Sequence, residues 1–264
     1  MVKFSKANAK IEALAKVPEL AKFLEGKRKV YSFDLLSGFS CPFAEKCFSK
    51  AVQINGKRKI KDGPKTEFRC FSASQEVQYT NVFNSRFNNF STLRKMQHSS
   101  DDMANAIMAA MPANAGIVRI HVAGDFFNQN YFNAWLTVAE QNPDKLFYAY
   151  TKSLPFWVDM IDPKLGVNLP ENFVLTASRG GRRDDLIDSL QLREAVVVYS
   201  EAEAEKLGLE IDHDDSHAAR PSLRNQSFAL LIHGTQPKGT AAAEALKILK
   251  RDKVKHSYSR KAAK

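Results

Sequence analysis

The chain has 264 residues and a formal net charge of +10 at pH 7, with 44% hydrophobic and 26% charged residues. This length allows one large core or two small ones, and the composition is ordinary for a globular protein. No apolar run reaches the roughly 20 residues that a transmembrane helix needs. The first residues, Met1–Lys6, lack the apolar core of a signal peptide. These features argue against a membrane protein and predict a cytoplasmic one.

The excess of basic residues favours anionic partners: nucleic acid, nucleotides or phosphorylated substrates. General solubility is the alternative explanation for the same charge. Charge alone therefore predicts a class of partner but no particular one.

The first third of the chain combines a helical pattern, a strand pattern and a long polar insertion. Residues 5–25 have the apolar spacing of an amphipathic helix, interrupted by Pro18 and ended by Gly26. Residues 29–36 are typical of a strand. The insertion, residues 38–112, carries all three cysteines and contains a basic hairpin or loop at 56–65 and helices at 73–97 and 100–111.

The centre of the chain, residues 120–151, predicts a strand–helix–strand unit. A short apolar strand ends in Gly124 and Asp125, an amphipathic helix follows, and a second apolar strand ends at Thr151. Such units form right-handed crossovers between parallel strands, and chemistry collects where those strands end. Asp125 is therefore the first candidate for a catalytic or ligand-binding residue.

Further strand patterns follow at 172–178, 195–200 and 227–233, with helical patterns between them. This alternation is typical of a parallel barrel or a doubly wound sheet. Six strands are fewer than the eight of a closed barrel, which predicts an open or partial (β/α)6, TIM-like barrel. We expect one α/β domain over residues 1–251 and a basic tail over residues 252–264.

The cysteines, Cys41, Cys47 and Cys70, have the spacing C-x5-C-x22-C, which differs from the paired knuckles of a zinc ribbon. Disulfides are not expected in the cytosol. Three thiolates can hold three irons of a [4Fe–4S] cluster and leave the fourth iron open to a ligand. A zinc site with a histidine as its fourth ligand and three separate free thiols are the two alternatives. The candidate histidines are His98, His121, His213, His217 and His233.

Two polar loops are further candidates. Residues 212–217 contain His213, His217 and three aspartates, which suit a divalent cation or general acid–base catalysis. Residues 179–183, Arg-Gly-Gly-Arg-Arg, place guanidinium groups beside a helix start and favour phosphate or carboxylate binding. The alternatives are solvated loops that cap the following helices. His121 and His233 lie in apolar strands, which is more typical of core histidines than of ligands.

Several strings resemble a family of phage proteins known as gene product 88. They are Ser40–Pro42, Arg69–Ser74, Arg119–Phe127, Phe147–Ser153 and Asp212–His217. The resemblance covers roughly residues 28–260. It implies a phage or prophage source but does not imply any particular reaction.

A second resemblance is to the radical S-adenosylmethionine enzymes, which have a partial (β/α)6 barrel. There a cysteine loop after the first strand holds a [4Fe–4S] cluster, and a Gly-Gly-Glu segment contacts the methionine amino group. The resemblance implies that Gly124 and Asp125 take that place, and that Thr151, Ser178 and Arg179 contact the cofactor. It also implies a redox partner. This chain departs from the family's usual C-x3-C-x2-C spacing and has Asp in place of Glu.

The leading hypothesis is a phage-encoded iron–sulfur enzyme that acts on a nucleotide or nucleic acid, with Asp125, His213 and His217 as catalytic candidates. One alternative is a zinc enzyme resembling the transglycosylases, with Asp125 as nucleophile. The other is a metal-stabilised nucleic-acid-binding protein without catalysis, in which the basic loop and tail bind the phosphates.

Overall fold

The computed structural model describes residues 1–159, 161–162, 166–167 and 169–254. Its strands are β1 (Ser5–Lys6), β2 (Lys29–Phe33), β3 (Ser49–Ile54), β4 (Lys57–Asp62), β5 (Ala115–Ile120), β6 (Leu146–Thr151), β7 (Ile161–Asp162), β8 (Gly166–Val167), β9 (Phe173–Ser178), β10 (Glu194–Val198) and β11 (Phe228–Leu231). Its α-helices are α1 (Ala9–Glu12), α2 (Phe71–Gln78), α3 (Thr80–Lys95), α4 (Ser100–Ala110), α5 (Gln129–Glu140), α6 (Leu154–Val158), α7 (Asp185–Leu190), α8 (Glu201–Lys206), α9 (Ser216–Ala219) and α10 (Ala241–Arg251).

Seven strands form the main sheet in the order β1-β2-β5-β6-β9-β10-β11. The short β1 pairs antiparallel with β2, and all other neighbours are parallel. The prediction of six parallel strands in chain order is confirmed. Within the described residues the sheet stays open, with β1 and β11 as its outer strands, so the TIM-like barrel is not confirmed. Because the six strands are parallel, all their carboxyl ends lie at one edge, called here the strand-end edge.

The strands are buried on both faces, as expected for a parallel sheet. One face packs against α4 and α5 in a cluster that includes Phe33, Val118 and Trp135. The opposite face packs against the N-terminal segment and the short helix α9, through residues such as Leu14 and Ala218. We call these the α5 face and the α9 face. A third cluster joins α8 and α10 to the last two strands.

The prediction of an α-helix over residues 5–25, interrupted at Pro18, is wrong for most of this segment. Residues 5–6 form β1, α1 has only four residues, and 3-10 turns follow at Ala13–Lys16, Pro18–Phe23 and Glu25–Lys27. Pro18 lies at the start of a turn, where its missing N–H needs no partner. The large apolar residues Ile11, Leu14 and Leu20 of this pattern are nevertheless buried on the α9 face, whereas Ala15 and Ala21 are exposed, so the pattern identified part of the buried surface but not the backbone conformation.

The cysteine-bearing insertion contains the hairpin β3–β4 and the helices α2 and α3. The basic segment 56–65 is part of this hairpin, as predicted, although the hairpin begins earlier, at Ser49. The helix predicted at 73–97 is two helices, with Tyr79 between them in an extended conformation. Ser99 caps α4 by accepting the N–H of Asp102 at 3.1 Å.

No helix in the described part of the chain is long and apolar enough to cross a bilayer. The helix α10 ends at Arg251, and the rest of the predicted basic tail lies outside the described residues from 255 onward.

Candidate functional site: a cysteine cluster at the strand-end edge

Polar residues follow directly after four neighbouring strands. Asp34 follows β2, Asp125 lies in the turn after β5, Lys152 follows β6 and Ser178 ends β9. These four strands are adjacent and parallel, so their carboxyl ends meet. The strand-end edge therefore brings together two residues predicted from the sequence, Asp125 and Ser178, with two others, Asp34 and Lys152.

The loop after β2, residues 34–48, carries Cys41 and Cys47. The Gly38 N–H lies 3.3 Å from the Cys41 Sγ and donates to it. The loop is fixed against the loop after β9, because the Lys46 N–H donates to the Gly180 carbonyl and the Arg182 N–H to the Phe43 carbonyl. Both cysteines are therefore held beside the carboxyl end of β9.

Cys70 reaches the same region from the other end of the insertion. It directly precedes α2, and although burial raises its pKa, the backbone N–H groups of Ala73 and Ser72 offset part of that rise. Its own N–H lies 3.4 Å from the Ser49 hydroxyl at the start of the hairpin. Backbone N–H groups aimed at sulfur are a feature of iron–sulfur sites, where they tune the cluster.

The three thiols are reduced, half-buried and electrostatically coupled to one another. Burial raises the pKa of Cys41 well above its ordinary value, and Asp125, Cys70 and Cys47 raise it further. Burial and then Cys47 raise the pKa of Cys70 to about 11. Cys41 and Cys70 therefore lie near enough to each other and to Cys47 for their charges to interact, and Cys41 also lies near Asp125. Within the described residues, no three His, Cys, Asp or Glu side chains form a group arranged to hold a metal ion.

Asp125 is only 5% exposed and is held by three donors. Its Oδ1 accepts the Thr151 hydroxyl at 2.6 Å and the Phe126 N–H at 2.8 Å, and its Oδ2 accepts the Lys152 N–H at 2.8 Å. Burial raises the pKa of Asp125 to about 6 against the opposing effect of these hydrogen bonds. A carboxylate has about four acceptor positions, so one on Oδ2 is left for a ligand.

Gly124 has a packing role that sequence reasoning missed. Its φ is +90°, and a Cβ there would lie 2.6 Å from the Ser40 hydroxyl and 2.7 Å from the Leu35 Cβ. The missing side chain lets the turn after β5 approach the cysteine loop. Ser40 and Leu35 therefore occupy the space that a side chain at position 124 would need.

Lys152 belongs to the site, although the sequence analysis did not single it out. It is 7% exposed, and its ammonium donates to the Ser178 carbonyl, the Ser178 hydroxyl and the Arg179 carbonyl, each at 2.8 Å. Its position directly after the predicted strand end at Thr151 was the available signal. Lys152 ties the end of β6 to the end of β9 and places a positive charge near Asp125.

In the loop at 179–184, groups that were predicted to bind an anion are paired with acidic side chains of the protein instead. The Arg179 guanidinium pairs with Glu194 and Asp188, which raise its pKa. The N–H groups of Gly180 and Gly181 donate to the carboxylate of Asp184 at 2.8 and 2.9 Å. An acidic side chain of the same loop thus occupies the position proposed for a phosphate or carboxylate.

The predicted polar loop at 212–217 packs on the α9 face. Asp215, fully buried, accepts from the Arg119 guanidinium, from the Tyr148 hydroxyl at 3.1 Å and from the Tyr150 hydroxyl at 3.3 Å. These four residues are called here the Asp215 cluster. Although burial lowers the pKa of Arg119, the charge of Asp215 raises it above its ordinary value. This cluster fastens the loop to β5 and β6.

The two histidines predicted to be catalytic lie in this same loop. The Nε2 of His217 lies 2.8 Å from Glu210 and its Nδ1 lies 3.9 Å from Asp212, and the nearby carboxylates of Asp212 and Glu210 raise the pKa of His217. His213 is half-buried. Asp212 Oδ2 is buried without a hydrogen-bond partner among the described residues. Both histidines therefore belong to the loop that Asp215 fastens, rather than to the cysteine loop.

The remaining histidines considered as a fourth ligand have different surroundings. His121 is 4% exposed with its Nε2 3.0 Å from the Tyr131 hydroxyl, and burial lowers its pKa to about 3, as expected for a core histidine. The ring of His233 packs 5.0 Å from Phe71, the residue after Cys70. His98 contacts Gln97 at 3.4 Å on the surface.

The fold and site define an open, mostly parallel α/β-sheet protein with a cysteine cluster where the strands end. The family model described as Gene product 88 matches residues 2–253, and the chain belongs to this family of phage gene products. No curated protein and no solved structure gives a significant match.

Proposed function

We propose that this protein is an iron–sulfur enzyme whose [4Fe–4S] cluster is held by Cys41, Cys47 and Cys70 at the strand-end edge. The observation that supports it most is that the three cysteines, from two ends of a long insertion, lie near enough for the charges of Cys47 and Cys70 to act on Cys41. Zinc held by the same thiols is the alternative.

The chemistry of the donor set fits such a cluster. Soft thiolates suit iron–sulfur clusters, and each thiolate of a cluster binds a different iron, so the thiols need not converge on one point. The N–H groups aimed at Cys41 and Cys70 would stabilise the charged sulfurs. Metal binding would also stabilise the thiolate forms of Cys41 and Cys70, which burial and the neighbouring charges disfavour.

Three cysteine ligands leave one iron open, and we propose S-adenosylmethionine as the ligand there. When bound, a cluster of this kind supplies one-electron chemistry, which requires a redox partner. Asp125 offers its remaining acceptor position to an amino group of the ligand. Lys152 holds the ends of β6 and β9 together through its hydrogen bonds to the Ser178 and Arg179 carbonyls. Gly124 and Arg179 act indirectly in this proposal, because one is closed off by packing and the other is paired with acids.

The nucleophile role considered for Asp125 has less support. Its carboxylate already accepts three hydrogen bonds, which stabilise the charge that a nucleophile would use. The better role is a buried acceptor whose pKa near 6 lets it hold or release a proton near neutral pH.

The test is anaerobic purification followed by reconstitution with iron and sulfide. We expect a brown protein with about four irons and four sulfides per chain. The single variants Cys41→Ser, Cys47→Ser and Cys70→Ser should each lose most of the iron. Glu45→Gln is the matched control, because it changes the same loop without removing a thiol.

Circular dichroism establishes that each variant is folded, so that loss of iron reports on the ligand. A colourless protein with one zinc per chain would support the alternative metal. Protein that takes up neither metal, or that keeps its iron in all three cysteine variants, would overturn the proposal.

A further inference from the structure

A groove of about 370 Å³ lies between the β3–β4 hairpin, the helix α3 and the cysteine loop. Four phenylalanine rings line it: Phe39, Phe83, Phe87 and Phe90. Phe87 is 50% exposed and Phe39 is 41% exposed, which is unusual for rings of this size. Exposed aromatic groups gathered in one groove mark a binding surface.

Three of the four rings carry a cation above them. The Lys50 ammonium lies 4.6 Å from the centre of Phe39, the Arg58 guanidinium 5.0 Å from Phe83, and the Arg94 guanidinium 5.8 Å from Phe90. The fourth ring, Phe87, stacks on Phe83 with 5.9 Å between the ring centres and 13° between the planes. The groove thus presents the exposed rings of Phe39 and Phe87 beside positive charges, while Phe90, 7% exposed, forms its floor.

The hairpin beside the groove is strongly basic. It contains five basic residues, Lys50, Lys57, Arg58, Lys59 and Lys61, and one acid, Asp62. That acid pairs with Arg69 at 2.5 Å, outside the hairpin. The hairpin therefore presents a positive surface next to the aromatic groove.

We propose that this groove binds single-stranded nucleic acid. Proteins that bind single strands combine a basic path for the phosphates with aromatic rings on which the bases stack, and both elements are present here. In a duplex the base faces are covered by stacking, so the rings favour a single strand. An apolar protein partner would not account for the cations over the rings.

The proposal goes beyond the iron–sulfur function and does not depend on it. Phe39 lies on the loop that carries Cys41, so a bound strand would lie next to the cysteine cluster. Binding through the groove can be measured whether or not a metal is present. Failure of one proposal is therefore distinguishable from failure of the other.

The test is fluorescence anisotropy with a labelled oligodeoxythymidine of about ten nucleotides, the RNA of the same sequence and a duplex of the same length. Phe87→Ala should weaken single-strand binding about fivefold or more, since it removes one stacking platform. The double variant Lys50→Glu with Arg58→Glu should weaken it further and reduce the salt slope by about 1.4.

Two controls separate the groove from general charge and from misfolding. Lys247→Glu with Lys250→Glu reverses two charges on α10, which packs near the opposite edge of the sheet, and should have a small effect. Leu207→Ala removes an equally exposed apolar side chain elsewhere. Absence of single-strand binding at low salt, equal binding of duplex, or unchanged binding by Phe87→Ala would overturn the proposal; the first result would instead favour a protein partner.

Discussion

The cysteine cluster and the Asp215 cluster both gather polar groups from distant parts of the chain, but their electrostatics are opposite. In the Asp215 cluster a carboxylate meets a guanidinium and two hydroxyl donors, so each group stabilises the others. In the cysteine cluster the thiols and Asp125 would all be negative when ionised, and each raises the pKa of Cys41. The charges of the Asp215 cluster therefore balance one another, whereas the charges of an ionised cysteine cluster would not.

This electrostatic difference distinguishes a cluster that stabilises the fold from a cluster that folding does not explain. The Asp215 cluster has a complete explanation in folding, because it fastens the 212–217 loop to two strands. The cysteine cluster has no such explanation: burial keeps Cys41 and Cys70 as neutral thiols at pH 7, and ionising them in this place would cost free energy. Groups held at such a cost are typical of functional sites. A bound cation would supply the missing positive charge.

The largest effect is expected from breaking the Asp215 cluster. Asp215→Ala would leave the Arg119 guanidinium buried without its carboxylate and remove the acceptor of two tyrosine hydroxyls. Loss of one partner of a buried pair costs about 3–5 kcal/mol. Urea unfolding followed by circular dichroism should show this loss in the free energy of unfolding.

Asp185→Ala is the matched control, because it breaks an exposed Asp–Arg pair with Arg183 on the surface. Its free energy of unfolding should remain close to that of the unchanged protein, as for most surface pairs. Equal stability of the two variants would contradict the structural role of Asp215.

The sequence was most informative about the central strands. The pattern predicted a strand ending at Thr151 and another at Ser178, and β6 and β9 end at these residues. Buried parallel strands have nearly continuous apolar sequences, which are easy to recognise. Asp125 stood out because it interrupts an apolar run, but the strand predicted from Ile120 to Asp125 is wrong: β5 spans Ala115–Ile120, and Asp125 lies in the loop that follows it.

Long-range pairing was beyond the sequence. Nothing near Asp215 indicates that its partner is Arg119, which is 96 positions away. The Gly180–Gly181 loop resembled an anion site because its glycine N–H groups lie beside a helix start. Their acceptor is Asp184 of the same loop, which the sequence did not reveal because an aspartate is equally typical of a helix start. Lys152 escaped notice because its oxygen partners are mainly backbone carbonyls after another strand.

A middle-sized effect should appear in the pH dependence of stability. The pKa of Asp125 is about 6 in the fold, against about 3.9 for an unfolded aspartate. The folded protein therefore binds this proton more tightly than the unfolded chain. Its contribution to stability is fully present below pH 4 and is lost as the pH rises through 6.

Asp125→Asn removes this titration. The difference in unfolding free energy between the unchanged protein and the variant should fall by on the order of 2 kcal/mol between pH 4 and pH 7. The pH-independent part of the difference reports on the hydrogen bond from the Lys152 N–H, which an amide nitrogen could not accept. A difference that stays constant with pH would mean that Asp125 is not buried as described, and would weaken its place beside the thiols.

The smallest effect concerns the loop that fills its own anion site. Asp184→Ala would remove the acceptor of the Gly180 and Gly181 N–H groups, at a cost of about 1–2 kcal/mol in the free energy of unfolding. If Asp184 stands where an anion would bind, sulfate should restore part of this loss in the variant, while chloride at equal ionic strength should not. Sulfate also stabilises folded proteins in general, so the gain must be compared with that of the unchanged protein at the same concentration. Equal gains in unfolding free energy for both proteins would show that the Gly180 and Gly181 N–H groups do not form an anion site even without the Asp184 carboxylate. The loop would then differ from the cysteine cluster in geometry as well as in charge.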